Sequence, residues 1–302
     1  MGTERCRSGR RARELDLVGL YTRSMRARDI EFLERWVHRH TGNLLRHVRG
    51  MPVAVRVESL AKESGMTTEE LLAVVGEGLH PQLELQLMEV VLNAETLFFR
   101  DARFFRGLQE QLLPALLERR RAERRLRIWS GACSTGQEVY SLAILLREEF
   151  PELAGWHLDI IGSDLSPRRI QRATRGRYRQ GEVNRGLPAR YLVRHFDQDQ
   201  DEWVVAPDLR AQIHFTVQNL IEPWSVTGRF DIVLLRHVLI YFDDQLRRSV
   251  LTRVHERLRG DGLLLLGSAE QPRPVGHLFD RSRPAIAGCF APVPVIGPET
   301  RL

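Results

Sequence analysis

One segment of the chain, in which an apolar run meets a loop of small residues and then a helical pattern, limits the folds that the chain can adopt. Residues 126–129 are an apolar run, residues 130–136 are small, and apolar residues then recur at helical spacing up to Leu146. Small residues let a ligand approach the backbone, and the first turn of a helix presents unpaired N–H groups and a positive dipole end. The segment therefore predicts a strand–loop–helix unit that suits an anionic group, although a glycine needed only for the turn gives the same pattern.

After residue 126, apolar runs and helical patterns alternate, which predicts a parallel sheet. Further strands are predicted at residues 157–162, 213–217, 230–235 and 263–266. Ser166 and Pro167 form a helix start after the second strand, and another helix covers about 243–258. Such alternation favours a sheet with helices on both faces. Residues 177–210 have no place in it and predict a small insert of short strands.

The preceding part of the chain has a helical pattern throughout. Residues 29–100 are predicted to form an all-helical domain of four or five helices, one of which starts at a capping box made by Thr67 and Glu70. Residues 101–125 are predicted as a linker helix and 126–292 as the second domain. Residues 1–28 are predicted to be a basic, flexible N-terminal segment, and residues 293–302 a C-terminal tail.

Composition narrows the class of protein. The chain has 302 residues, of which 43% are hydrophobic, enough for a sizeable core. No apolar run reaches the length of about 18 residues that a membrane span needs, and none follows the basic start as in a signal peptide, so a cytoplasmic protein without membrane insertion is expected. The net charge of +6 favours an acidic partner only mildly, because Lys62 is the only lysine and the arginines partly reflect coding bias. The three cysteines lack metal-ligand spacing, so free thiols and no metal site are expected.

Four motifs occur in a fixed order along the chain. They are TLFFRD at 96–101, WSGACSTGQEVYSLA at 129–143, SDLS at 163–166 and RHVLIYF at 236–242. With these motifs the chain resembles the CheR-type chemoreceptor glutamate methyltransferases over about residues 29–290. The resemblance implies a helical N-terminal domain and an α/β, Rossmann-like class I methyltransferase domain with a small antiparallel β insert. It also implies methyl transfer from S-adenosylmethionine, which leaves S-adenosylhomocysteine, to glutamates of a methyl-accepting chemoreceptor or a similar helical receptor.

The resemblance further implies the site residues. Cofactor contacts fall on Thr96, Arg100, Glu138, Asp164, Asn219, Leu220, Arg236 and His237, and the transfer site on Arg100 and Tyr241. Asp164 ends the second predicted strand, where a carboxylate can accept both hydrogen bonds of a ribose diol. A helix cap is the alternative role for Asp164, although Ser166 already fills it. Glu138 alternatively complements the helix dipole.

The other implied site residues have alternative structural roles as well. Thr96 and Arg100, four residues apart, are expected on one helical face, and an ion pair with Asp101 is the alternative for Arg100. Tyr241 lies in an apolar run, so packing in the core is its alternative. Without the resemblance, Asn219 would be a turn residue and His237 a surface residue.

The chain departs from the family pattern at several positions. Ala94 and His237 stand where the family usually has asparagine, and each lost hydrogen bond would weaken cofactor binding by about 1 kcal/mol. Residues 53–64 carry only Arg56 and Lys62, whereas family members commonly present an arginine-dense helix to the receptor. The insert loop at 197–202 is short and acidic, which predicts that no C-terminal receptor peptide tethers this protein.

Three alternative functions have to be distinguished from methylation of a receptor glutamate. A nucleic-acid base methyltransferase usually has Asp or Asn followed by Pro-Pro-aromatic after the fourth strand, and residues 235–238 carry nothing of the kind, so no nucleic acid is expected. A nicotinamide enzyme lacks any residue set for hydride chemistry. A non-catalytic module that kept the fold while changes at Ala94 and His237 eroded its site stays open.

Overall fold

A computed structural model of the chain describes residues 25–45, 53–92, 95–282 and 285–294. The chain divides into two compact units, Met1–Asn93 and Ala94–Leu302. No helix in the described ranges is both long enough and apolar enough to cross a membrane.

The described part of the first unit is helical. Its helices are α1 (Ala27–Thr41), α2 (Val53–Glu63), α3 (Thr68–Gly76) and α4 (Pro81–Val91). Each buries an apolar stripe, and in α1 this stripe contains Leu33, Trp36 and Val37. The predicted capping box is present at α3, since the Thr67 side chain accepts from the Glu70 N–H and the Glu70 side chain accepts from the Thr67 N–H. The sequence also has helical spacing at Leu44, Leu45 and Val48, and residues 46–48 of that stretch lie outside the described residues.

The second unit begins earlier than the sequence suggested. The sequence placed the domain boundary at residue 100, whereas the division falls between Asn93 and Ala94. Phe98 is fully buried in the core of the second unit, and the Phe99 N–H donates to Ser141 Oγ at 2.9 Å. These contacts are physical reasons for the earlier start.

The second unit contains ten strands and eight helices among its described residues. The helices are α5 (Ala102–Gly107), α6 (Leu113–Arg120), α7 (Gln137–Glu149), α8 (Pro167–Arg175), α9 (Gln180–Val183), α10 (Ala189–His195), α11 (Pro207–Arg210) and α12 (Asp244–Arg257). A π-helical turn, Leu108–Leu112, joins α5 to α6, and short 3₁₀ turns lie at Pro151–Leu153, Leu239–Tyr241 and Gly276–Leu278. The predicted linker helix is thus helical from Ala102 to Arg120, with a π-helical interruption.

Seven strands form the main sheet in the order β6–β2–β1–β7–β8–β10–β9. They are β1 (Arg125–Gly131), β2 (His157–Asp164), β6 (Ile213–Val217), β7 (Phe230–Leu234), β8 (Leu258–Leu265), β9 (Phe279–Arg281) and β10 (Cys289–Pro292). β10 runs antiparallel to both of its neighbours, while the pairs from β6 to β8 are parallel. The order reverses between β1 and β7, and ligands bind at such switch points, outside the carboxyl ends of the strands.

The central strands are apolar on both faces because helices cover both sides of the sheet. Ile232 and Leu234 of β7 belong to one buried cluster, while Val233 and the following Leu235 belong to the other. Successive residues of a strand point to opposite faces, so continuous apolar runs are required here. The α/β, Rossmann-like class I architecture predicted from the sequence is confirmed.

A second sheet lies in the segment predicted as an insert. It has three antiparallel strands in the order β3–β5–β4, namely β3 (Arg177–Arg179), β4 (Phe196–Asp199) and β5 (Glu202–Val205). The Tyr178 O–H donates to the Thr135 carbonyl at 2.7 Å. The insert is therefore bonded directly to the loop that follows β1.

Candidate active site

The loop between β1 and α7 adopts a backbone that few residue types tolerate. Ala132, Ser134 and Gly136 have φ values of 55°, 53° and 90°. A Cβ on Gly136 would lie 2.9 Å from the Cβ of Ala173 in α8. Glycine is therefore required at position 136 both for the backbone conformation and for the packing against α8. The loop leads directly into the N-terminal turn of α7, at the carboxyl end of the sheet.

Asp164, the last residue of β2, holds this loop in place. One carboxylate oxygen accepts the Ser134 N–H at 2.9 Å, and the other accepts the Ser166 N–H at 3.0 Å. Ser166 itself caps α8 by accepting the Arg169 N–H, as the sequence predicted. Each carboxylate oxygen can accept more than one hydrogen bond, so these two backbone donors leave capacity for a ribose diol.

Arg236 joins the separate parts of the site. Its side chain is fully buried, and its guanidinium donates to Glu138 Oε2 at 2.7 Å and to Asp101 Oδ2 at 2.6 Å. It also donates to the Arg100 carbonyl at 3.3 Å and lies 4.0 Å above the Phe104 ring centroid. One guanidinium thus fixes residues from the segment before α5, from α7 and from the end of β7.

His237 follows in the left-handed conformation, with φ at 61°. Its N–H donates to Glu270 Oε2 at 2.8 Å, and Nε2 lies 3.4 Å from Asp101 Oδ2. Burial, together with the positive charges of Arg100 and Arg236, lowers the pKa of His237 to about 4, although Asp101 acts in the opposite direction. The imidazole is therefore neutral at pH 7. His237 is thus not an ordinary surface residue, which was the alternative interpretation of its role.

Thr96 and Arg100 do not share a helical face, and that prediction was wrong. Residues 95–97 have no regular secondary structure, and residues 98–99 form a turn followed by a bend at Arg100, with Phe99 at a φ of 46°. Arg100 donates to the Glu95 carbonyl at 3.2 Å, while Asp101 pairs with Arg236. The helical spacing failed because burial of Phe98 in the core fixes this segment as a turn. Ala94 lies outside the described residues.

Asn219, Leu220 and Tyr241 lie in the connections after β6 and β7. Asn219 forms a turn through its Oδ1, which accepts the Ile221 N–H at 3.3 Å. The Leu220 side chain is buried in the same cluster as Trp129, and its carbonyl accepts a hydrogen bond from Trp224 Nε1 at 3.1 Å. Tyr241 ends a 3₁₀ turn and is partly buried against the same cluster. Both structural alternatives, a turn for Asn219 and packing for Tyr241, are thus present beside any role in binding.

Two residues that the sequence interpretation left out complete the network. Asp101 pairs with Arg236, and Glu270 accepts the N–H groups of His237 and Gly267. The TLFFRD motif contains Asp101, so its charge was the available signal. Glu270 follows β8 in a stretch without any recognisable spacing, so no local pattern indicated it.

Cys133 lies in the β1–α7 loop and is buried. Burial, with the nearby carboxylates of Asp164 and Glu138, raises the pKa of its thiol well above the usual value. The thiol is therefore protonated at pH 7 and does not act as a nucleophile. Cys289 is also free and buried, while Cys6 lies outside the described residues.

The residues at this end of the sheet fit a nucleoside carrying a charged side chain. Asp164 offers acceptor capacity beside the left-handed loop, and the N-terminal turn of α7 begins at that loop. The carboxylate of Glu138 is 14% exposed and neutralised by Arg236. This donor and acceptor set agrees with the cofactor that the sequence motifs imply.

Comparison with known proteins gives the same result. Residues 94–283 match the family model described as CheR methyltransferase, SAM binding domain. A chemotaxis protein methyltransferase 1 of Pseudomonas aeruginosa is 32% identical over 80% of this chain and 89% of that protein. Chemotaxis protein methyltransferase Cher2 of Pseudomonas putida is 32% identical over 80% of this chain and 90% of that protein. A chemotaxis protein methyltransferase of Vibrio anguillarum is 31% identical over 82% of this chain and 91% of that protein.

Proposed function

Since this chain belongs to the CheR family of S-adenosylmethionine-dependent methyltransferases, we propose that it methylates glutamate side chains of a chemoreceptor. The relatives are named for chemotaxis and for methyl transfer, and the choice of the glutamate carboxylate as acceptor is our proposal. The product is a methyl ester, so each transfer removes one negative charge from the receptor.

The main structural support for the proposal is the contact of Arg236 with both Glu138 and the Arg100 carbonyl. Glu138 is the proposed cofactor contact in α7, and Arg100 is the proposed contact with the incoming carboxylate. A fully buried guanidinium between them keeps both at fixed positions, which supports a reaction that depends on alignment.

The proposed methyl transfer makes few chemical demands on the side chains of the protein. A glutamate side chain is ionised at pH 7, so its oxygen needs no general base. S-adenosylmethionine supplies a methyl group bound to a positively charged sulfur. An oxygen–methyl bond forms as the sulfur–methyl bond breaks, and the electron pair of that bond stays on sulfur in S-adenosylhomocysteine. In our proposal, Arg100 orients the carboxylate, Tyr241 donates a hydrogen bond to it, and Asp164 holds the ribose.

The remaining predicted residues are also proposed to contact the cofactor. Thr96, Asn219, Leu220 and His237 stay proposed contacts, with Leu220 contributing backbone rather than side chain because its side chain is buried in the core. His237 replaces the usual asparagine at a left-handed position, a conformation that asparagine adopts readily and histidine less so.

We propose that receptor binding does not involve a C-terminal peptide tether. Only Gln200 and Asp201 join β4 to β5, and Arg177 pairs with both Asp199 and Glu202 at 2.7 Å. The hairpin is therefore short, and part of its acidic charge is neutralised. Removing the C-terminal segment of the receptor should leave the methylation rate unchanged.

The proposal is tested with purified protein, radiolabelled S-adenosylmethionine and receptor-containing membranes. We expect alkali-labile label on the receptor from the natural chain. Tyr241→Phe should bind S-adenosylhomocysteine normally but transfer methyl groups about tenfold more slowly, because a hydrogen bond to the reacting carboxylate is lost. Ser249→Ala, on the exposed face of α12, is the control.

The outcomes separate the alternatives. Alkali-resistant label would contradict carboxylate methylation. Normal binding of S-adenosylhomocysteine with no label on any receptor would contradict the proposed acceptor. No measurable cofactor binding would instead favour the non-catalytic module.

A further inference from the structure

Glu270 lies in the connection after β8 and is only 8% exposed. Its Oε2 accepts two backbone hydrogen bonds, from the His237 N–H at 2.8 Å and from the Gly267 N–H at 2.6 Å. Its own N–H donates to the Gly267 carbonyl at 2.8 Å. A single carboxylate oxygen thus joins the end of β7 to the turn that follows β8.

The surroundings of Glu270 are built for this contact. A Cβ on Gly267 would lie 2.6 Å from Glu270 Oε2 and 2.9 Å from His237 Nδ1, so only glycine leaves room for the close approach. The other carboxylate oxygen, Oε1, is buried without a hydrogen-bond partner. Burial raises the pKa of this carboxyl, because the ionised form is less stable away from water.

His237, whose N–H Glu270 accepts, has a strained backbone conformation. His237 has a φ of 61°, a conformation that costs free energy for a residue other than glycine. Arg236, immediately before it, donates to Asp101, Glu138 and the Arg100 carbonyl. If the His237 N–H lost its acceptor, the backbone could relax and the Arg236 guanidinium would move with it.

We propose that Glu270 is a positioning residue for methyl transfer, which fixes the His237 backbone and through Arg236 aligns Arg100 with Glu138. This inference rests on the proposed function of the site. Glu270 acts as a hydrogen-bond acceptor for the backbone, and its negative charge is not needed for the effect.

Two substitutions separate these roles. Glu270→Gln keeps a side-chain oxygen that accepts two hydrogen bonds and removes the charge. Glu270→Ala removes the acceptor and leaves both N–H groups without it. Asp231→Asn is the matched control, because Asp231 is also a buried carboxylate that accepts a backbone hydrogen bond, from Arg127 at 2.8 Å, but it lies at the amino end of β7.

The experiment measures S-adenosylhomocysteine affinity by calorimetry, receptor methylation as separate kcat and KM values, and thermal unfolding. For Glu270→Ala we expect kcat to fall about 10- to 100-fold through misalignment, with the receptor KM nearly unchanged. Glu270→Gln should stay within about threefold of the natural chain. Asp231→Asn should lower the unfolding temperature without changing kcat or cofactor affinity.

Several results would overturn the proposal. One is natural kcat in Glu270→Ala, and another is equal impairment of Glu270→Gln and Glu270→Ala, which would assign the effect to charge. If kcat of Asp231→Asn fell as much as that of Glu270→Ala, lost stability alone would explain the lower kcat of Glu270→Ala. If the natural chain itself transfers no methyl group, the proposed function fails, whereas a natural chain that transfers methyl groups together with an unchanged kcat in Glu270→Ala would contradict only the role of Glu270.

Discussion

At the scale of single residues, the site depends on the geometry of Arg236. Three acceptors from two other segments converge on one planar guanidinium that is wholly excluded from water. Removing one partner of a buried ion pair leaves an uncompensated charge, so each member of this network constrains the others. A lysine keeps the charge but offers one ammonium group instead of a planar fork.

Arg236→Lys should therefore weaken S-adenosylhomocysteine binding about tenfold and lower the free energy of unfolding by about 1–3 kcal/mol. Calorimetry and urea unfolding measure the two effects. Arg127→Lys is the control, because Arg127 is also multiply bonded, to Asp159 and to the Arg229 and Thr227 carbonyls, but at the amino end of the sheet. Unchanged affinity in Arg236→Lys, or an equal loss in Arg127→Lys, would contradict the assignment.

His237 gives the site a dependence on pH. Its folded-state pKa is lowered to about 4, whereas an unfolded histidine titrates near 6.5. Between these values the unfolded chain binds more protons, so stability is full above pH 6.5 and falls as the pH drops towards 4. Asp101, Arg100 and Arg236 are the charged groups that face the ring.

His237→Asn should remove this contribution, so the stability of the variant should fall less steeply between pH 6.5 and 4.5 than that of the natural chain. Urea unfolding at several pH values measures the slope. Asparagine also tolerates the left-handed backbone, so stability at pH 7 should not decrease. A slope identical in the two proteins would contradict the burial of a neutral imidazole.

At the scale of elements, close packing of α7 and β6 on β2 requires a strand residue without a side chain. A Cβ on Gly162 would lie 2.6 Å from Cε1 of Phe215 and 3.2 Å from Cγ2 of Val139. Val139 belongs to the first turn of α7, so this packing also determines where the helix begins relative to the sheet.

Gly162→Ala should lower the free energy of unfolding by about 1–3 kcal/mol, because the methyl group overpacks a filled interior. Denaturant unfolding measures the loss. Gly260→Ala in β8 is the control, since a Cβ there has no neighbour within 4 Å. Equal stabilities of the two variants would show that the interior at Gly162 adjusts.

At the scale of the whole molecule, the proposed cofactor contacts and the core that supports them belong to one unit. Both described core clusters of this unit start no earlier than Phe98. The network from Asp101 through Arg236 to Glu138, and Asp164 with its loop, also lie after Ala94. The first unit supplies none of these hydrogen bonds.

A fragment comprising residues 94–302 should therefore fold and bind S-adenosylhomocysteine with a Kd within about threefold of that of the full chain. Circular dichroism and calorimetry test this. The same fragment carrying Asp164→Ala is the control and should bind much more weakly. A folded fragment without affinity would mean that residues of the first unit contact the cofactor.

Several features of the fold were predictable from local patterns in the sequence. Strand β6 was predicted at its observed bounds, and the Ser166 cap and the Thr67 capping box are present as predicted. These features depend on residues within a few positions of each other. The helical spacing of Thr96 and Arg100 failed because a distant contact, the burial of Phe98, overrides local preference there.

The sequence by itself determined the α/β class, the family and five of the seven strands of the main sheet, since periodicity, caps and ordered motifs are all local or collinear signals. Strands β9 and β10 were not predicted. Only the tertiary structure decided that Arg236 meets Asp101 across 135 residues and Glu138 across 98. It alone decided that Glu270 holds the backbone of His237. Hydrogen bonds between such distant residues depend on where the sheet brings strand ends together, and no spacing in the chain encodes that distance.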